Sequence, residues 1–229
     1  VPLLPKLPSP DTTFSLLNRH QKVLLRIFSQ CRLGKSFILS GATALSSVYL
    51  KHRLSQDIDF FSLNEVSGIS LLPFIHSASR KGFSAERSRI GPINRIIFRR
   101  GRKIATKVDF IYFPFDPIEP HHIVEDIRVE SFLDIAVNKL ETFHSRSEPK
   151  DYVDIYFILR TTGLKIEKLR RLVKAKFDIY IEPLSLAERC FKAEDIQALP
   201  RLVKKVSMEE IKSFFYTVGR QIVEHSGKR

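Results

Sequence analysis

The stretch Ser40-Gly41-Ala42-Thr43-Ala44-Leu45, followed by Gln56-Asp57-Ile58-Asp59-Phe60-Phe61, decides how this chain is read. Strand residues at i and i+2 share a face, so Asp57 and Asp59 project together while Ile58 and Phe60 turn toward a core. Two carboxylates held side by side repel each other unless a cation lies between them. Mg²⁺ (or Mn²⁺) is a hard ion that takes carboxylate and phosphate oxygens. Gly41 lets the backbone approach a phosphate closely. A helix expected over residues 43–50 presents free N–H groups and the positive end of its dipole. A third acid, Asp109, lies in the strand-like Lys107-Val108-Asp109-Phe110-Ile111 and is the natural third carboxylate for a metal pair. Each feature alone fits a solvated strand edge or turn; their combination is much harder to produce by chance.

Outward from this centre the pattern is α/β. Helical spacing covers residues 14–33, and a short buried strand covers 37–39. A second strand is expected at 58–61 and an amphipathic helix at 69–79. Three further strands are expected at 83–90, 93–99 and 104–113, joined by turns at Gly91-Pro92 and Gly101. Pro114, Pro117 and Pro120 then break the pattern. Helices follow over 131–143, 150–159, 166–176, parts of 185–206, and 208–224. Pro149 suits an early helical turn, and Ser147 is a candidate cap. The expected organisation is a Pro-rich arm (1–13) and helix within 1–34, an α/β core over 35–127, and a helical region over 128–229.

The composition excludes several classes. With 229 residues, 43% hydrophobic and 28% charged, the chain has the make-up of a folded globular protein. No apolar run reaches the roughly 18 residues of a membrane helix. The start, Val1-Pro2-Leu3-Leu4-Pro5-Lys6, has no long apolar run, so no secretory leader is expected. Cys31 and Cys190 form no zinc or disulfide framework and read as reduced thiols of a cytoplasmic protein. The net charge is +13 and uneven. Residues 80–107, opening on Arg80 and closing on Lys107, hold ten Lys/Arg and a single acid, Glu86. A strip of that density attracts phosphates, as RNA would supply, or else is a solvated surface.

A second constellation lies in the helical region. Lys139 sits beside the apolar stripe of Ile135, Ala136, Leu140 and Phe143. Either its stem covers apolar surface, or its ammonium reaches into a cleft to meet a triphosphate. Arg146 follows, then Lys150-Asp151-Tyr152-Val153-Asp154-Ile155. Asp151 and Asp154 are i, i+3 neighbours and can face one site. Asp151 also suits a helix start through the dipole. Asp154 stands among Val153, Ile155, Tyr156 and Phe157, where a charge has less reason to be.

At these residues the chain resembles the nucleotidyltransferase family of AbiEii/AbiGii-type toxins, within the polymerase-β-like superfamily. The resemblance spans roughly residues 35–160. It rests on Gly41-Ala42-Thr43-Ala44-Leu45, Tyr49-Leu50-Lys51-His52-Arg53 and Asp57-Ile58-Asp59-Phe60-Phe61, then Asp134-Ile135-Ala136-Val137-Asn138-Lys139-Leu140, Arg146 and Lys150-Asp151-Tyr152-Val153-Asp154-Ile155. Two departures stand out. Ala42 replaces a second glycine, and Lys51 replaces the glycine before His-Arg. The resemblance implies a small mixed sheet flanked by helices, followed by a helical C-terminal region. It implies Mg²⁺ on Asp57 and Asp59 with Asp109 as third ligand, and an NTP cradled by Gly41, Ala42 and Thr43. Arg53, Arg146 and Asp151 join the nucleotide-side residues. Lys139 would neutralise the phosphates. Asp154, with Asp151 second to it, would orient Lys139 or accept a proton. An RNA acceptor, tRNA in particular, a cognate antitoxin and a toxin's role are implied as well. The alternatives are a protein or small-molecule acceptor, or a non-catalytic nucleic-acid-binding relative. The charge of +13 disfavours a cationic small acceptor.

Overall fold

The computed structural model describes Pro5, residues 13–146 and residues 148–226. Apart from Pro5 and Thr13, the expected arm lies outside these residues, as does Ser147. The described residues separate into two compact units, one of residues 13–131 and the other of Pro5 together with the residues from Phe132 onward.

The first unit is built on a seven-stranded mixed sheet. Its strands are β1 (Ile38–Ser40), β2 (Asp57–Ser62), β3 (Ser84–Ile90), β4 (Ile93–Arg100), β5 (Lys103–Tyr112), β6 (His122–Val124) and β7 (Ile127–Val129). Their spatial order is β3-β4-β5-β2-β1-β7-β6. Three helices accompany the sheet: α1 (Arg19–Ser29), α2 (Gly41–Ala44) and α3 (Leu72–Arg80). In β2 exposure alternates, with Ile58, Phe60 and Ser62 buried and Asp57, Asp59 and Phe61 partly open. The buried face meets an aromatic cluster. Phe28 of α1 lies 4.0 Å from Phe60 and 5.5 Å from Phe74 of α3, ring centre to ring centre. Phe60 stacks on Phe110 of β5 at 5.4 Å. This packing fixes the register of β2, since a slip by one residue would drive both carboxylates into the aromatic core.

Helix α1 is shorter than the expected 14–33 because a capping box starts it. Asn18 Oδ1 accepts from the N–H groups of His20 and Gln21, and Gln21 Oε1 accepts from the N–H of Asn18. Gln21 is buried and donates through Nε2 to the carbonyls of Ser55 and Gln56, 3.0 Å each. That pair of bonds anchors the chain immediately before Asp57.

α2 continues as a π-helical stretch, Leu45–Leu50, which closes on Lys51 in the left-handed conformation (φ 49°, ψ 38°). The Lys51 N–H donates to the Ser46 carbonyl at 2.9 Å. This is the position where the resembling family carries glycine, and the backbone shows why. Lys51→Gly is expected to stabilise the chain by about 0.5–1 kcal/mol, because the left-handed strain it removes outweighs exposed side-chain contacts such as the Nζ bonds to Ser15 and Ser47. A Tm that fails to rise would show that those bonds outweigh the strain. Ala42, the other departure, lies outside the left-handed region, so its methyl adds no backbone strain.

The β6–β7 hairpin was not expected from the sequence. Glu125 and Asp126 turn it with φ of 47° and 61°, a conformation normally signalled by Asn-Gly. β7 pairs parallel to β1 at Leu39 and Val129.

The second unit is helical: α4 (Phe132–Ser145), α5 (Pro149–Thr162), α6 (Ile166–Phe177), α7 (Pro183–Phe191) and α8 (Met208–Ser226). α5 is buried without interruption from Asp151 to Leu159, so its polar side chains must find partners inside the protein. Phe143, Tyr152 and Phe215 form the aromatic centre of this unit. Among the described residues no helix is long and apolar enough to cross a membrane.

Candidate active site

In the first unit the strand register assembles a row of polar side chains across the open face. Ser40 of β1 is opposite Asp59 of β2, Asp59 is opposite Asp109 of β5, and Asp109 is opposite Arg95 of β4. One row along, Asp57 is opposite Lys107. The structure thus brings the three expected carboxylates onto one face. Arg95 forks onto Asp109, with Nε to Oδ1 at 2.8 Å and Nη2 to Oδ2 at 2.7 Å. Lys107 Nζ stands 3.7 Å from Asp57 Oδ1. The hydrogen bond to Asp109, then the charges of Asp109, Asp57 and Asp59, hold the Arg95 guanidinium above its ordinary pKa against the opposing effect of burial.

Gly41 sits against this row. It adopts φ +64°, and a Cβ placed on it would lie 2.3 Å from Asp59 Oδ2. Glycine is required twice over, by the backbone and by the carboxylate. Gly41→Ala is expected to cost about 2–3 kcal/mol and to displace Asp59. In an Asp59→Ala background the carboxylate clash is gone and only the 3.1 Å approach to the Cβ of that residue remains, so the cost should fall. Equal losses in the two backgrounds would refute the contact.

Thr43 is buried, and its hydroxyl donates to the Asp57 carbonyl, so it ties α2 to the start of β2. Arg53 is buried, with Nη1 donating to the Leu54 carbonyl at 3.1 Å. Behind the row, Ser40 Oγ donates to Glu130 Oε2, and Tyr49 Oη donates to the Glu130 carbonyl at 2.7 Å.

The basic strip does not form one surface. Strand alternation places Arg95, Arg99 and Lys107 on the face of the acid row and Arg87 and Arg89 on the opposite face. Arg89 pairs with Glu65 at 2.7 Å and Arg99 with Glu86 at 3.5 Å. The Arg100 guanidinium lies over the Phe83 ring at 5.2 Å.

The second unit holds its own charged centre. Lys139 Nζ meets Asp154 Oδ2 at 2.6 Å and stands 3.9 Å from Asp151 Oδ1. Both acids are fully buried, and the Lys139 side chain is 9% exposed. Asp151 accepts from Arg146 Nε and Nη2 at 2.9 and 3.1 Å and from the Glu148 N–H at 3.1 Å. It therefore closes the capping box of α5. The Asp151 hydrogen bond, then the charges of Asp151, Glu148 and Asp154, raise the Arg146 pKa, opposed by burial.

A further buried pair escaped the sequence reading. Lys176 Nζ bonds Asp134 Oδ1 at 2.7 Å and Asn138 Oδ1 at 3.0 Å, with both charged side chains essentially inaccessible. Its signal was present: Leu169, Val173 and Lys176 follow helical spacing, and Asp134 and Asn138 are i, i+4 on α4.

The acid row suits a hard divalent cation by its donors, since Asp57 and Asp59 project from one strand face and Asp57 is 46% exposed. As they stand among the described residues, no three His, Cys, Asp or Glu side chains form a ready cluster for a metal ion. The fork of Arg95 accounts for Asp109, whose two oxygens it engages.

A family model, described as the nucleotidyl transferase AbiEii toxin of type IV toxin–antitoxin systems, matches residues 22–215. An uncharacterized protein of Aquifex aeolicus (strain VF5) is 26% identical over 226 residues, covering 91% of this chain and 98% of the relative. JHP933 from Helicobacter pylori superposes with a TM-score of 0.59 at 18% identity, covering 93% of this chain and 96% of its own. That likeness concerns the fold alone.

Proposed function

The chain belongs to the AbiEii nucleotidyl transferase toxin family, and on that premise we propose that it transfers a nucleotide from an NTP to an RNA acceptor of the tRNA class. The observation that carries the reading is the acid row, with Asp57 and Asp59 on one face of β2 beside Gly41. These two carboxylates would hold Mg²⁺ or Mn²⁺. When bound, such an ion neutralises phosphate charge and lowers the pKa of the attacking hydroxyl. The chain's own groups do the rest. Gly41 leaves room for the Asp59 carboxylate to lie against the backbone. Arg95 and Lys107 supply fixed positive charge on the same face. Lys139, held by Asp154, would neutralise phosphate charge. Phosphoryl transfer of this kind rests on positioning and charge neutralisation more than on a strong nucleophile.

The net charge of +13 favours a polyanionic acceptor over a cationic one. The proposal includes a cytoplasmic toxin with a cognate antitoxin as protein partner. The test is incubation of the protein with each α-labelled NTP and Mg²⁺, against total RNA and separately against protein extract. Label is expected in small RNA and is expected to vanish with EDTA. Label confined to protein would overturn the acceptor, and no label on either would overturn the transferase.

A further inference from the structure

We infer that Arg95 takes the place of a second metal ion in the acid row, and that Asp109 is the residue that positions it. The inference rests on the reading of Asp57 and Asp59 as ligands of one divalent cation.

Arg95 and Asp109 face each other across adjacent antiparallel strands. Their fork engages both carboxylate oxygens, at 2.8 and 2.7 Å, with the Asp109 side chain 9% exposed. Bidentate charge-assisted pairs of this geometry are the strong ones. A guanidinium does not deprotonate in proteins, so the positive charge that Arg95 sets against Asp109 is permanent. A divalent ion claiming Asp109 would have to displace a fixed positive charge or lie against it.

The Nη1 group of Arg95 makes no hydrogen bond among the described residues, while the side chain is 31% exposed. Its two N–H groups are donors for a phosphate oxygen. A second divalent ion would add like charge beside Arg95.

The test is EPR of Mn²⁺ bound to the full chain, with Mn²⁺ alone and with a non-hydrolysable NTP analogue. The wild type is expected to show an isolated ion in both states. Two ions about 3.5–4 Å apart, as in two-metal sites, would give a spin-coupled spectrum. Asp109→Asn is expected to bind Mn²⁺ as tightly as the wild type, yet to bind the analogue about tenfold or more weakly, because Arg95 is no longer aimed. Arg95→Ala should weaken the analogue similarly and, by releasing Asp109, produce the coupled pair. If that variant does not fold, the wild-type spectrum and Asp109→Asn still decide.

A coupled pair in the wild type, or a tenfold loss of Mn²⁺ affinity in Asp109→Asn, overturns the inference and leaves the transferase reading intact. An Asp57→Ala/Asp59→Ala protein that binds Mn²⁺ like the wild type removes the acid row as a metal site, and the inference with it.

Discussion

Replacing either Asp57 or Asp59 with Ala is expected to abolish nucleotide transfer and leave the fold in place. The two residues project from the open face of β2, and the packing of that strand resides in Ile58 and Phe60 on the other side. The Thr43 hydroxyl reaches the Asp57 backbone carbonyl, so Asp57→Ala keeps that link. Asp57 is 46% exposed and its contact with Lys107 is long, at 3.7 Å, so little stability depends on it. Removing one carboxylate also relieves repulsion within the row. Activity should respond very differently. A group that holds charge at the reacting phosphate is worth about a hundred- to a thousandfold in rate, and a metal ligand no less. The measurements are kcat/KM for transfer and thermal melts of both single variants and the double. A double variant with full metal-dependent activity would sink the assignment of the acid row. A large fall in Tm would mean that these carboxylates hold the sheet together.

The acid row was legible in the sequence because its signal is local. Alternation across Asp57-Ile58-Asp59-Phe60 is a property of a single strand, and burial of Ile58 and Phe60 leaves the acids one direction to face. Arg95 was visible only as one of ten basic residues. Its role depends on the register of β4 against β5, which no single strand carries. The same reasoning explains why the strip of residues 80–107 read as one surface: strand alternation divides it between two faces, and pairing then commits Arg89, Arg95 and Arg99 to acids. The β6–β7 hairpin was illegible for a different reason. Its strands are three residues long, and Glu125-Asp126 occupy a turn conformation that they rarely adopt. In the helical unit, Asp154 was suspected from its apolar neighbours, and its partner is Lys139. Asp151 suited the helix start, and it does close the α5 capping box.

The structure changes what is expected of Lys139→Met. From the sequence alone, a Lys lying along an apolar stripe should give way to Met without loss of stability. Yet Lys139 Nζ lies 2.6 Å from an Asp154 carboxylate that is fully buried. Removing the ammonium takes a counter-charge 2.6 Å away from that buried carboxylate, and breaking a buried pair from one side costs up to about 3–5 kcal/mol. Asp151 does not share the loss, because Arg146 and the Glu148 N–H still hold it. An inactive Lys139→Met protein would therefore be ambiguous between lost chemistry and lost fold. The double variant Lys139→Met/Asp154→Leu resolves this. Replacing both members of a buried ion pair with apolar groups of similar volume is often neutral or stabilising. The double variant is thus expected to melt above Lys139→Met alone. If Lys139 meets the triphosphate, it should nonetheless lose about a hundredfold or more in rate. Lys139→Arg should restore part of the stability and little of the activity, since a planar fork does not reproduce a compact ammonium. Melts and single-turnover transfer rates on the three variants separate the two roles. A stable double variant with wild-type rates would mean that Lys139 and Asp154 exist for the fold of the helical unit alone.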